Sequence, residues 1–122
     1  ASNNDRNRRN EFAQDLYKTY LELGKPLVIA EQLLPYLDPH EFGTAQQIIE
    51  LAEQILNVRE LRKKRYLDLA QAFLTTGRWK DAEKLAEKNI NKGIAISKWK
   101  LVQALALKKQ GKVGMAYNIM RE

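Results

Sequence analysis

Apolar side chains recur at helical spacing along most of the chain. Phe12, Leu16, Tyr20 and Leu23 form one stripe, which predicts a first helix over residues 10–23. Asn10 is placed to cap it and Gly24 to end it. A second helix is expected over 26–37, with Pro26 suited to its first turn. Ile48, Leu51, Ala52, Ile55 and Leu56 make a broad apolar face, predicting a third helix over 39–57. Its start signal is Asp38-Pro39-His40-Glu41, with Thr44 the alternative start because Gly43 weakens the first turns. Four further helices are predicted at 59–76, 79–91, 96–110 and 112–121, with Asn91-Lys92-Gly93 as a turn. Ser97 is the expected cap of the sixth helix if 94–96 are linker. No stretch alternates apolar and polar residues as a half-buried strand does.

The pattern also repeats. Ala70, Gly77 and Ala82 recur as Ala104, Gly111 and Ala116, each 34 residues on. That period belongs to stacked helix–turn–helix units. Gly77 and Gly111 take the tight turns, and the alanines allow close approach of antiparallel helices. Tyr20 precedes Gly24 by four residues, as Phe73 precedes Gly77 and Leu107 precedes Gly111. Residues 13–37 therefore read as a third, diverged hairpin, separated from the next by the extra helix 39–57. The expected fold is an all-α solenoid of antiparallel hairpins, about seven helices in all. Residues 1–9 have no apolar side chain except Ala1 and are expected to be a disordered basic leader before a repeat domain over 10–122. Within that domain the units are 10–37, 39–57, 59–91 and 96–122.

Tyr66, Leu69, Ala70, Phe73, Gly77, Trp79 and Ala82 fall in the register of the tetratricopeptide repeat, and this stretch resembles that family. The second copy departs from the pattern at Lys100 and Gln103, with Trp99 adjacent. Ala86 and Met120 stand where the family has an aromatic, and Asn89 where it has an alanine. The resemblance implies a non-catalytic scaffold that binds another protein. In bacteria such modules often serve secretion, envelope assembly or polysaccharide export. It also implies a concave groove lined by the first helix of each hairpin. The groove positions here are Lys64, Gln71, Thr75, Lys98, Leu105, Lys108 and Lys109. A basic groove with an apolar patch favours an acidic or amphipathic segment. Some relatives clamp a C-terminal carboxylate with asparagines, but Asp68 and Val102 hold those positions, so no such clamp is expected.

Composition bounds the alternatives. The 122 residues suit one domain. There is no cysteine, which excludes a disulfide framework, a thiol nucleophile and thiolate zinc sites. No apolar run reaches membrane-spanning length and no signal peptide is visible. Ala1 in place of methionine is expected of a fragment or processed form, leaving room for an anchor upstream. The expected location is the cytoplasm, or the cytoplasmic side of a membrane-anchored protein. The net charge of +6 favours an acidic partner. The acids are read as well mixed among the bases, which weakens that inference. The last helix carries Val113, Ala116, Ile119 and Met120 with no unit beyond it. Self-association through that helix is one expected consequence.

No catalytic constellation emerges. His40 is the only histidine, and Ser2 and Ser97 are the only serines, so no nucleophile–base pair can be assembled. Glu50 with Glu53 and Glu83 with Glu87 share helix faces. A carboxylate-bridged metal site also needs histidines, which neither pair has. An enzyme is not expected, nor a cofactor. The second function class is a basic helical nucleic-acid-binding domain. It rests on the run Arg59-Glu60-Leu61-Arg62-Lys63-Lys64-Arg65 as a phosphate contact, with Trp79 and Trp99 as stacking residues. Trp79, being in repeat register, is expected in the core instead.

Overall fold

The structure is a computed structural model that describes residues 3–121. Ala1, Ser2 and Glu122 lie outside the described residues, and with them part of the expected leader. The described chain is all-helical. Its seven α-helices are α1 (Asn3–Glu22), α2 (Leu27–Leu33), α3 (Phe42–Leu56), α4 (Lys63–Thr75), α5 (Trp79–Asn91), α6 (Ile96–Lys109) and α7 (Val113–Arg121). A 3-10 turn, Leu34–Tyr36, follows α2.

One local device ends four of these helices. Gly24, Gly77, Gly93 and Gly111 have φ of +82°, +81°, +73° and +81°. After α4, the Gly77 N–H donates to the Leu74 carbonyl and the Arg78 N–H to the Phe73 carbonyl. The same two bonds recur around Gly24, Gly93 and Gly111. They satisfy carbonyls that the helix end leaves open, and the left-handed glycine makes the geometry possible. The residue four before each glycine is turned inward: Tyr20, Phe73, Asn89 and Leu107 are all buried. That is the physical content of the Tyr20–Gly24 and Phe73–Gly77 spacing.

Each helix packs on a sequence neighbour, and α4 also meets α6. The main core is built from Ala13 and Tyr20 of α1, Ala30 and Leu33 of α2, and the apolar face of α3. Leu69, Ala72, Phe73 and Ala82 carry it into α4 and α5. A second cluster joins Ala70 and Ala86 to Trp99. A third holds α7 on α6 through Ala104, Leu107 and Ala116.

Several boundaries differ from expectation. Residues 3–9 are helical rather than a disordered leader, and Asn10 lies inside α1 rather than at its cap. The Arg9 guanidinium donates to the Pro35 carbonyl at 2.7 Å and lies 5.5 Å over the Tyr36 ring. Pro35 follows Leu34 into the 3-10 turn, so α2 stops at Leu33 instead of running to 37. Helix α3 starts at Phe42, not at Pro39. The Asp38 carboxylate accepts from the nearby His40 N–H at 2.8 Å, which caps a turn rather than the helix. Thr44 is buried and donates to the Asp38 carbonyl. Helix α4 starts at Lys63, four residues late, because Arg62 is extended and Leu61 is buried as an anchor. The Leu61 N–H donates to the Tyr66 hydroxyl at 3.2 Å. Ala95, at φ +41°, flanks the start of α6, so Ser97 falls within the helix and does not cap it.

Candidate functional site

The expected groove residues divide into two groups. Gln71 and Thr75 are half-buried and committed to the fold. The Thr75 hydroxyl donates to the Pro39 carbonyl at 2.6 Å, and the Gln71 amide donates to Thr75 Oγ1 at 3.2 Å. Thr75 fastens the 38–41 loop to α4, and Gln71 braces Thr75. Lys64 is exposed at the start of α4. With Arg62 and Lys63 it rims a cavity of about 260 Å³ whose walls include Leu34, Ile55 and Leu61.

Lys98, Leu105, Lys108 and Lys109 are all exposed on α6. Residues three, four and seven apart share a helix face, so these four lie along one side of α6. Leu101, exposed, lies beside them. The opposite side of α6 carries Trp99, Ala104, Ala106 and Leu107 into the core. The sequence therefore splits α6 into a packed face and a cationic face interrupted by leucines.

Charge is less well mixed than the composition suggested. Lys88, Lys92, Lys98, Lys100, Lys108, Lys109, Lys112 and Arg121 are the only charged residues from 88 to 121. All eight are basic. Upstream, several carboxylates are paired with arginines. Arg65 pairs with Asp68 at 2.7 Å, Arg59 with Glu31 at 3.1 Å, and Arg78 with Asp81 at 2.8 Å and Glu53 at 3.7 Å. Burial pushes the Asp68 carboxyl above its ordinary range, against the opposing pull of Arg65 and His40. Among the described residues no ion pair involves a lysine of α6. In the basic run 59–65, Arg59 and Arg65 are paired and Leu61 is buried, while Arg62, Lys63 and Lys64 are exposed.

The tryptophans exchange their expected roles. Trp79 is half-buried at the start of α5 and belongs to no core cluster. Trp99 is among the largest fully buried side chains, so it cannot stack on a base. It packs where Ala70 and Ala86 leave room. The aromatic that Ala86 lacks comes from the next helix.

The paired carboxylates also have structural partners. The Tyr17 hydroxyl donates to Glu50 at 2.9 Å, and Gln110 donates to Glu83 at 2.9 Å. Among the described residues no group of three or more His, Cys, Asp or Glu side chains is placed to hold a metal ion. His40 is exposed, 3.3 Å from Asp38. It borders a cavity of about 540 Å³ between the start of α1, the 35–41 loop and α4. That cavity mixes Arg6, Arg9 and Arg65 with Asp38, Glu41 and Asp68, so it carries no clear charge preference. No helix among the described residues is long and apolar enough to cross a membrane. Compared with known protein families, characterised proteins and solved structures, the chain matches none of them.

Proposed function

We propose that this chain is a non-catalytic interaction scaffold, a tetratricopeptide-like stack of hairpins that binds an acidic amphipathic segment of another protein along α6. One observation carries the reading. Leu101 and Leu105 are exposed between Lys98 and the Lys108–Lys109 pair, in a stretch of sequence, 88–121, whose charged residues are all basic. Leucines on a bound helix or strand cover the apolar patch, and its acids meet the lysines. The lysines contribute mainly to association rate and orientation, and the leucines to affinity. A cytoplasmic setting accompanies this reading, since the cysteine-free chain needs no oxidising compartment.

The test uses a fluorescent peptide of alternating leucine and glutamate character, with a scrambled peptide as control. Binding to the intact chain should weaken at least about tenfold when Lys98, Lys108 and Lys109 are reversed to glutamate, a loss of about 1.4 kcal/mol. Undiminished binding would remove the α6 site. Duplex DNA and single-stranded RNA serve as competing probes. Tight binding to either, with a steep fall in added salt, would favour the nucleic-acid class instead.

A further inference from the structure

The α6–α7 end of the molecule copies a surface that is already filled inside it. Inside, Trp99 clusters with Ala70 and Ala86, with Leu67 and Leu85 packed against them. The positions 34 residues beyond Leu67, Ala70, Leu85 and Ala86 are Leu101, Ala104, Ile119 and Met120. Ala104 is buried and Ile119 half-buried, whereas Leu101 and Met120 are 49% and 53% exposed. The repeat has produced the socket a second time, and no described aromatic side chain fills it.

The front of the molecule carries the counterpart of Trp99. The turns at Gly24 and Gly111 share φ and hydrogen bonds, which aligns α1 with α6. In that alignment Phe12 stands at Trp99, Asp15 at Val102, Thr19 at Ala106 and Leu23 at Gln110. Phe12, Asp15, Thr19 and Leu23 are exposed, while their counterparts in and just after α6 are buried or half-buried. The polar joint changes in step. Gln110 donates to Glu83 across the internal contact at 2.9 Å. Their counterparts at the two free faces are Leu23 and Tyr117, 64% and 62% exposed. An internal polar pair is thus matched by an apolar pair wherever the two ends meet. Charge agrees, because Asp15 replaces Val102 and would face a region whose described charges are all basic.

We infer that the protein associates with a second copy of itself, head to tail. Helix α1 of one copy stacks on the α6–α7 end of the next. Phe12 enters beside Leu101 and Met120, and Leu23 meets Tyr117. The contact joins two different surfaces, so it propagates into open rows instead of closing as a symmetric pair. It shares Leu101 with the α6 peptide face, so a bound peptide and a second copy would compete for that side chain. Phe12, Leu23, Tyr117 and Met120 lie outside that face, and association of the chain alone involves no peptide.

Sedimentation of the intact chain up to millimolar concentration tests this. The average mass should climb steadily past that of a dimer. Phe12→Asp, with a dead head, and Met120→Asp, with a dead tail, should each stay monomeric with unchanged helical circular dichroism. An equimolar mixture of the two should stop at the dimer, since one working head then meets one working tail. Leu23→Glu provides an independent head variant should Phe12→Asp lose helicity. A wild-type chain that stays monomeric throughout overturns the proposal. So does association abolished by Met120→Asp but untouched by both head variants, which would describe α7 pairing with its own copy.

Discussion

Tyr20 has the one buried side-chain polar atom among the described residues without a hydrogen-bond partner. Its ring is fully enclosed in the core, so the hydroxyl gives up water and receives nothing in return. Tyr20→Phe keeps the ring and removes that oxygen. Stability should rise by about 1 kcal/mol, read as a higher urea midpoint at unchanged slope. A lower midpoint would mean that the hydroxyl is satisfied. The neighbouring Tyr17 behaves differently. Burial, then the hydrogen bond to Glu50, pushes its phenol up to about 12. The folded state therefore holds this proton more tightly than the unfolded chain does. The resulting stability is complete below the ordinary tyrosine value of about 10 and is lost as pH rises from there towards about 12. Absorbance titration should show a tyrosine ionising near that upper value. Glu50→Gln should bring the midpoint down by removing the adjacent negative charge, leaving the burial effect in place.

The helix ends were the most legible part of the sequence. Gly24, Gly77 and Gly111 could be read as turns because each follows an inward residue by four positions, and the backbone has that need. Nothing crowds a Cβ at Gly77 or Gly111, so the positive φ alone demands glycine there. Gly77→Ala should therefore cost about 1–2 kcal/mol, and Gly77→Asn less, because asparagine tolerates the left-handed region. Gly43 is the internal control. It lies in the first turn of α3 without a positive φ and with open space around it. Gly43→Ala should stabilise by about 0.5 kcal/mol. Equal effects of alanine at the two glycines, followed by thermal melting, would contradict this account. Helix starts were harder to read because tertiary contacts decided them. Asp38 has the chemistry of a cap, but the 38–41 loop is held by Thr75 and Thr44, and the carboxylate turns to His40. The candidate site was half legible. Lys98, Leu105, Lys108 and Lys109, placed by the register of the resemblance, are exposed on α6. The recruitment of Gln71 and Thr75 into the fold depended on a loop 36 residues from Thr75, beyond the reach of any local pattern.

At the scale of the whole molecule, the core is graded. It is broadest where α1 to α4 share one cluster and narrows towards α7, which is held by a small cluster on α6 alone. Trp99 is the largest side chain joining that last pair of helices to what precedes them, beside Ala106 and Val102, which reach the main cluster. Removing such a buried aromatic costs about 3–5 kcal/mol, against roughly 6–18 kcal/mol expected for a chain of this length. Where that loss falls depends on how the chain opens. If neighbouring helices can open separately, Trp99→Ala weakens the α6–α7 end and leaves the core of α3 intact. Amide hydrogen exchange separates the two cases. In the wild type, α7 should exchange fastest and α3 slowest. In Trp99→Ala, amides of α6 and α7 should lose protection by more than about tenfold, equivalent to 1.4 kcal/mol, while those of α3 change little. A uniform fall across all seven helices would mean that the chain opens as one cooperative unit. The 34-residue repeat would then describe the shape of the molecule without dividing its stability.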